Sequence, residues 1–215
     1  MIKAIIFDFD GVIVESTSIK TKAFCEMYKP YGIDVVRKVK KHHVQNQGMN
    51  RHEKFKIYHS DFLETIITEK EIERLADKFS DLVMEKVTKA SYVKGAYEFL
   101  SNNHTKYDIF LSSGTPEKEL IMILTAKEII DYFKGVFGSP KTKTSHVKKI
   151  ITLHNYEFDE VLYIGDSITD KIAADNNKIH FVGRTHKDSH NFDENDICIH
   201  DISYVESVLS LFNDE

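Results

Sequence analysis

Of the chain's 215 residues, 41% are apolar and 29% are charged, and the formal net charge is −5. That composition predicts an ordinary soluble globular protein, and the acidic balance argues against a nucleic-acid partner, because phosphate backbones attract clustered Lys and Arg. The N-terminus lacks a signal-peptide core, the two cysteines lack a metal-like spacing, and no apolar run approaches the roughly 20 residues of a membrane span, so we expect a cytoplasmic protein with free thiols and no membrane partner.

The first predicted element is a strand over residues 4–7, which are Ala-Ile-Ile-Phe. Four apolar residues without alternation indicate a strand buried on both faces, as in parallel sheets covered by helices. Asp8 and Asp10 follow at once, and Gly11 then allows a sharp turn or a close ligand approach. In open α/β sheets, ligands bind at the carboxyl ends of strands. A carboxylate there can act as a nucleophile or as a ligand of a hard cation.

Residues 16–90 predict helices and no convincing strand. Ser16 or Thr17 is expected to cap the first helix. A polar, histidine-rich region over residues 40–59 predicts two helices around a loop near residues 47–50. Thr68 and Glu71 form a predicted capping box, and apolar residues spaced three and four apart follow it. We expect an all-helical insertion.

From residue 91 onward, predicted strands alternate with helices. The strands are expected at residues 107–111, 136–137, 161–164, 179–182 and 197–199. Such alternation implies right-handed crossovers and a doubly wound parallel sheet. The nearly all-polar stretch between Arg184 and Asp196 predicts a surface loop. The expected fold class is α/β, with a catalytic core over residues 1–15 and 91–215.

Polar residues follow three more of the predicted strands. The second strand is followed by Ser112 and Ser113, before Pro116 opens a helix whose N–H groups suit a phosphate. Lysines precede a later helix, and Asp166 and Asp170 follow the strand at residues 161–164. Carboxylates gathered at one sheet edge repel each other unless a cation holds them. Mg²⁺ fits, because it prefers oxygen ligands and keeps waters open for a substrate phosphate.

In these motifs the sequence resembles the haloacid dehalogenase-like superfamily, in its phosphatase branch. Residues 8–12, Asp-Phe-Asp-Gly-Val, match its DxDG(T/V) motif, and residues 165–170 match its GDxxxD motif. A serine after the second strand and a lysine before a helix match the other two motifs, in the family's order. The resemblance implies a Rossmann-like core, with residues 16–90 as a helical cap domain inserted between the first and second motifs.

The resemblance also implies roles for the four aspartates. Asp8 would attack phosphorus and become an aspartyl-phosphate, and Asp10 would protonate the leaving oxygen and then activate water. Asp8, the backbone carbonyl of Asp10 and Asp166 would bind Mg²⁺. Asp170 would bind the waters of the ion or support its ligands.

Two further motif positions are less closely defined by the sequence. Ser113 and the N–H of Gly114 would hold the phosphoryl oxygens, although Ser112 is only one residue away in register. Lys143 fits the motif's position at a helix start, and Lys141 fits its distance from Asp166 about equally well. We place the motif lysine at Lys143.

Substrate choice is expected to lie in the cap. Its polar residues there are Gln47, Asn50, Arg51 and Lys54. We expect Arg51 to contact an anionic substrate. His52 and His59 are about two helical turns apart, too far for one tetrahedral zinc site without other ligands, so we expect the histidines of this region at the surface.

The expected function is Mg²⁺-dependent hydrolysis of a small phosphorylated metabolite. Asp10 separates the chain from dehalogenases and phosphonate-cleaving members of the superfamily, which lack an aspartate at that position. One alternative is a sugar phosphomutase resembling β-phosphoglucomutase, which shares all four motifs. The other is a signalling receiver domain, a phosphate-accepting switch that also uses aspartate, hydroxyl and lysine residues. The oligomeric state stays open between a monomer and a weak dimer.

Overall fold

In the computed structural model, which describes residues 1–185 and 192–213, parallel strands form a six-stranded sheet. The strands are β1 (Ala4–Phe7), β2 (Asp108–Pro116), β3 (Gly135–Ser139), β4 (Val161–Gly165), β5 (His180–Arg184) and β6 (Cys198–Ile199). Their spatial order is β3-β2-β1-β4-β5-β6. The predicted doubly wound α/β fold is confirmed. Part of the predicted surface loop, residues 186–191, lies outside the described residues.

Helices make up most of the rest of the chain. The α-helices are α1 (Thr17–Tyr28), α2 (Ile33–Gln45), α3 (Arg51–Ile57), α4 (Glu69–Thr88), α5 (Ala96–Asn103), α6 (Glu117–Ala126), α7 (Lys143–His154), α8 (Ile168–Asn177) and α9 (Val205–Asn213). A π-helical turn, Tyr58–Phe62, follows α3. Among the described residues, no helix is both long and apolar enough to cross a membrane.

Strand β1 lies at the centre of the sheet, between β2 and β4. Its four residues are buried, and they alternate between the two hydrophobic clusters of the core: Ile5 and Phe7 belong to one, and Ala4 and Ile6 to the other. The strand order reverses beside β1, and such switch points are where open α/β sheets bind ligands. Asp8 therefore emerges at the centre of the sheet's carboxyl edge.

Helices α1–α4 form the insertion between β1 and α5, and no strand of the sheet occurs between residues 16 and 90, a range that is fully described. The two segments that connect the insertion to the rest of the chain lie side by side. The Glu15 N–H donates to Ser91 O at 2.9 Å, and the Val93 N–H donates to Ile13 O at 3.0 Å. The predicted capping box at Thr68 is present. Phe24, Phe55 and Phe79 of the insertion belong to the main hydrophobic cluster of the core. The insertion is thus packed onto the sheet by continuous apolar contact.

Two local predictions differ from the structure. The second strand continues to Pro116 rather than ending at Leu111, and α6 begins only at Glu117. Ser113 consequently lies on extended backbone and not at a helix N-terminus. Ser16 precedes α1, but its hydroxyl makes no capping hydrogen bond and donates instead to Asp10 Oδ1 at 2.6 Å.

Candidate active site

Asp8, the first residue after β1, is buried. Its Oδ1 accepts the Phe9 N–H at 2.7 Å, and its Oδ2 lies 3.0 Å from Lys143 Nζ. Burial raises the pKa of Asp8, and the charges of Asp170 and Asp166 add to the rise, while Lys143 opposes it. Lys143 alone therefore does not balance the negative charges of Asp8, Asp166 and Asp170. Their remaining charge favours the binding of an additional cation.

Lys143 is the first residue of α7, whose N-cap Thr142 accepts the Ser145 N–H at 3.2 Å. Its ammonium also donates to Asp170 Oδ1 at 2.6 Å. Although burial disfavours its charge, the carboxylates of Asp170 and Asp8 raise the pKa of Lys143, so it is charged at neutral pH. Lys141 is exposed and makes no ion pair in the described residues. Of the two candidate lysines, the structure brings Lys143 to Asp8.

Asp8, Asp166 and Asp170 form a buried cluster of carboxylates, with one oxygen from each lying within 4.8 Å of the others. The approach of Asp166 depends on Gly11, which has a φ of +78° and where a Cβ atom would lie 2.2 Å from Asp166 Oδ2. Asp170 Oδ2 also accepts the Ser167 N–H at 3.1 Å. Three buried oxygen donors at this spacing suit a hard cation such as Mg²⁺. The bonds to Asp170 favour a positioning role for it.

The side chain of Asp10 lies apart from that cluster. It accepts hydrogen bonds from Ser16, from Thr115 Oγ1 at 3.1 Å and from the ammonium of Lys20. Burial opposes ionisation of Asp10, but Lys20 and the hydroxyl donors outweigh it and lower the pKa. Sequence reasoning assigned no site role to any of these three partners. Lys20 is the fourth residue of α1, and lysines are common on any exposed helix surface. Its sequence position therefore did not indicate a contact with Asp10.

The two candidate serines lie in different places. Ser113 lines the cavity beside Asp8, and its Oγ accepts the Thr115 N–H at 3.1 Å. Ser112 Oγ instead lies 2.9 Å from Nδ1 of the buried His146. Successive residues of a strand face opposite sides, which separates the two hydroxyls. Ser113 and Gly114 are therefore the members of this segment available to a bound phosphoryl group.

Arg51 lies beside the cavity that contains Asp8, but its charge is already paired. It is 5% exposed, and its guanidinium makes two hydrogen bonds to Glu119 of α6, at 2.9 and 2.7 Å. It also donates to Ser80 Oγ at 2.6 Å and lies over the Phe79 ring, 4.9 Å from its centroid. Glu119 already balances this charge, which argues against the expectation that Arg51 contacts a substrate anion. The residue joins the insertion to the core.

A cavity of about 40 Å³ lies between the insertion and the sheet edge. Its lining includes Asp8, Lys143, Phe24, Phe79, His43 and Lys54. The prediction that the histidines of this region lie at the surface is wrong for His43, which is buried. A space of this size holds a few waters.

The loop at residues 46–50 forms part of the cavity wall. A Cβ atom on Gly48 would lie 1.7 Å from Thr169 Oγ1, and one on Gly114 would lie 2.9 Å from Gly48 O. A side chain on Gly48 would overlap the side chain of Thr169, and one on Gly114 would overlap the backbone of Gly48, so both positions require glycine. These contacts bring the insertion directly against strand β2, which carries Ser113, and against the segment that follows Asp166. Sequence reasoning placed the loop but not this contact.

Comparison with known protein families gives a match over most of the chain. A family model described as haloacid dehalogenase-like hydrolase matches residues 5–184. This range includes all four motif segments and the whole insertion. Comparison with curated protein sequences finds no match.

Solved structures share the fold at low sequence identity. β-Phosphoglucomutase from Clostridium difficile has a TM-score of 0.83 at 20% identity, covering 100% of this chain and 98% of that one. A predicted phosphoglycolate phosphatase from Haemophilus somnus has a TM-score of 0.74 at 18% identity, covering 97% and 98%. A putative hydrolase from Bacillus subtilis bound to magnesium, whose structure reveals interdomain movement, has a TM-score of 0.73 at 15% identity, covering 97% and 99%.

Proposed function

Because the chain belongs to the haloacid dehalogenase-like hydrolase family, we propose that it is a Mg²⁺-dependent phosphatase that hydrolyses a small phosphomonoester through an aspartyl-phosphate at Asp8. One observation carries the proposal. The Asp8 carboxylate lies between the Phe9 N–H and Lys143 Nζ, in a buried cluster with two further carboxylates. These contacts hold the carboxylate in one orientation, as a nucleophile requires.

The reaction has two steps, and the second regenerates the Asp8 carboxylate. An Asp8 carboxylate oxygen forms a bond to phosphorus while the bond to the ester oxygen breaks, and the leaving oxygen takes a proton from Asp10. Water then attacks the same phosphorus atom, Asp10 accepts its proton, and Asp8 leaves as a carboxylate. Ser113, Gly114 and Lys143 orient the phosphoryl oxygens and offset their charge.

The contacts of Asp10 suit its role as the general base of the second step best. The ionised form that Lys20 and Ser16 stabilise is the form that accepts a proton from water. To act first as an acid, Asp10 must take up a proton, and Lys20 opposes this. A good leaving group needs no such proton, so aryl phosphates are suitable first substrates.

Asp8 and Asp166 would hold Mg²⁺, with the backbone carbonyl of Asp10, and Asp170 would keep Lys143 and the ligand set in place. When bound, the ion would neutralise the carboxylates and the phosphoryl oxygens. The raised pKa of Asp8, caused by burial and by its acidic neighbours, supports a cation at this position. The magnesium in the Bacillus subtilis relative supports the same metal.

We propose that residues 16–90 act as a cap over a core of residues 1–15 and 91–215. The paired linkers at Glu15 and Val93 form a short hinge. Movement at this hinge would open the cavity for substrate entry. The interdomain movement of the Bacillus subtilis relative is consistent with such an opening.

A sugar phosphomutase is the second candidate. The rings of Phe24 and Phe79 line the cavity and offer apolar surface to a sugar, and the Clostridium difficile structure is a β-phosphoglucomutase. The phosphatase is favoured because the ionised Asp10 is ready to activate water. The match to a hydrolase family favours either enzyme over a signalling receiver domain.

Product analysis separates the two enzymes. The protein is incubated with Mg²⁺ and p-nitrophenyl phosphate, with small phosphomonoesters, or with β-glucose 1-phosphate and a bisphosphate activator. We expect release of inorganic phosphate that stops when a chelator is added. Formation of glucose 6-phosphate without phosphate release would replace the phosphatase with the mutase. Full phosphate release in excess chelator would remove the metal from the proposal.

A further inference from the structure

Lys54, on α3, is 1% exposed and lines the cavity that contains Asp8. Its Nζ lies 2.9 Å from His43 Nδ1 and 3.4 Å from the carbonyl oxygen of Gln47. No carboxylate makes an ion pair with it anywhere in the described chain. Lysines are rarely buried unless an opposite charge accompanies them, because burial of an unpaired charge is unfavourable.

The other three cations that line this cavity each have such a partner. Lys143 contacts Asp8 and Asp170, Lys20 contacts Asp10, and Arg51 makes its paired hydrogen bonds to Glu119. Lys54 differs from them in having only neutral contacts. The cavity is thus lined by a buried amino group for which the described residues supply no carboxylate partner.

Two polar side-chain atoms of residues that line the cavity also have no hydrogen-bond partner among the described residues. They are His43 Nε2 and Gln47 Oε1, and both are buried. Burial and the charge of Lys54 hold the pKa of His43 at about 2, so the ring is neutral. When Lys54 is charged it can only donate, so Nδ1 accepts and Nε2 carries the hydrogen as a donor. Gln47 Oε1 is an acceptor that suits a hydroxyl group.

We propose that Lys54 and His43 form a subsite for a second anionic group on the substrate, a carboxylate or a second phosphate, which stays on the product when Asp8 removes the phosphoryl group. The subsite rests on the proposed phosphatase function, because it defines the substrate of that same cavity. It replaces Arg51, whose charge Glu119 balances, as the anion-binding element of the insertion.

Burial lowers the pKa of Lys54 to about 7, with Lys20 adding to the effect. A ligand anion beside Nζ would restore the charged form and remove the cost of burying it alone. Hydrogen bonds to charged groups contribute enough that their loss changes affinity by about 10- to 100-fold. The expected preference for an acidic substrate is of that order.

Matched pairs of phosphate esters test the subsite. 3-Phosphoglycerate and glycerol 3-phosphate differ only in a carboxylate that replaces a hydroxymethyl group. Propane-1,3-diol bisphosphate and 3-hydroxypropyl phosphate differ only in the second phosphate. Calorimetry with Mg²⁺ and the Asp8→Asn variant measures binding without turnover, and phosphate release is measured separately with Asp8 intact. The first pair tests for a carboxylate and the second for a phosphate.

We expect about 10- to 100-fold tighter binding of the anionic member of at least one pair, and loss of that preference in Lys54→Met. The control is Lys56→Met, the same substitution on the same helix at a side chain that is 52% exposed and paired with Glu69. It should keep the preference. His43→Gln should weaken it, since both polar atoms of the amide are bonded to Cδ and cannot take the positions of Nδ1 and Nε2 together.

The outcomes separate the subsite from the phosphatase. Equal binding of both members of both pairs, or an equal loss for both members in Lys54→Met, would overturn the subsite even if phosphate is released. A preference that depends on Lys54, without phosphate release from any ester, would keep the subsite and overturn the phosphatase. Circular dichroism of Lys54→Met, Lys56→Met and His43→Gln distinguishes lost binding from lost fold.

Discussion

Burial gives the charge of Lys54 a measurable effect on stability. Its folded pKa of about 7 results from burial and from Lys20, with Asp10 opposing them and Lys143 adding a smaller lowering. The facing His43 has a pKa of about 2 and stays neutral throughout the accessible range. An unfolded lysine has a pKa near 10.4, so between about pH 7 and that value the unfolded chain binds more protons at this residue than the folded one. Stability should therefore rise with pH across this window.

Lys54→Met removes the titrating group, and with it the unfavourable free energy of burying its charge. We expect the variant to be more stable than the wild type by about 1–3 kcal/mol at pH 6, and the difference to shrink by pH 9, since each unit of pKa shift corresponds to about 1.4 kcal/mol. Urea denaturation followed by circular dichroism measures it. Lys56→Met, with its exposed side chain, should show no such pH-dependent difference. A difference between Lys54→Met and wild type that is constant from pH 6 to pH 9 would contradict the assigned environment of Lys54.

At the scale of elements, the contact between α3 and α6 holds the insertion against the core. Arg51 lies on α3 and Glu119 on α6, and Ser80 of α4 donates to the same Glu119 carboxylate at 2.7 Å. Charged pairs that are largely buried depend on both partners, and removal of one leaves the other unbalanced. We infer that the pair stabilises the closed arrangement and does not contact substrate.

Substitution of Glu119 tests this inference. If Arg51 acts through Glu119, then Glu119→Gln should raise KM for the preferred ester much as Arg51→Met does, and the two changes together should cost less than their sum. A coupling of about 1 kcal/mol or more is expected for a charged pair in contact. Glu98→Gln, at an exposed position of α5, is the control.

A direct contact between Arg51 and the substrate predicts a different result. An arginine that binds substrate directly would be released by Glu119→Gln, and KM would fall in that variant while rising in Arg51→Met. Steady-state kinetics of the three variants therefore separates a structural bridge from a binding contact. Unfolding measurements on the same proteins show how much the pair contributes to stability.

At the scale of the molecule, the sheet and its strand-end residues were predictable because their signals are local. An apolar run followed by Asp8 and Asp10, and another followed by Asp166 and Asp170, place four carboxylates at one edge as soon as the strands are parallel. The helical insertion was predictable in the same way, since its apolar spacing and the capping box at Thr68 are contained within single helices.

The pairing between insertion and core was not predictable. Arg51 and Glu119 are 68 residues apart in sequence, and their contact depends on how the insertion closes over the sheet. Helix α3 is seven residues long and carries charges on several sides, so its sequence does not reveal that Lys54 is buried while Lys56 is exposed. The sequence predicted that β2 ends before Ser112, because the apolar run stops there. In the structure the Ser112 hydroxyl forms a hydrogen bond with His146, and the strand continues.

The proposed mechanism requires Asp8 to become phosphorylated, and this is directly measurable. In Asp10→Asn, an aryl phosphate should still phosphorylate Asp8, because its leaving group needs no proton, while hydrolysis slows for lack of a base by about 10²- to 10⁴-fold. The intermediate should then accumulate with Mg²⁺. Acid quenching, reduction of the acyl phosphate with labelled borohydride and peptide mapping identify the residue. We predict one labelled homoserine, at position 8. A label at another residue, or near-normal turnover by Asp8→Asn, would contradict the mechanism.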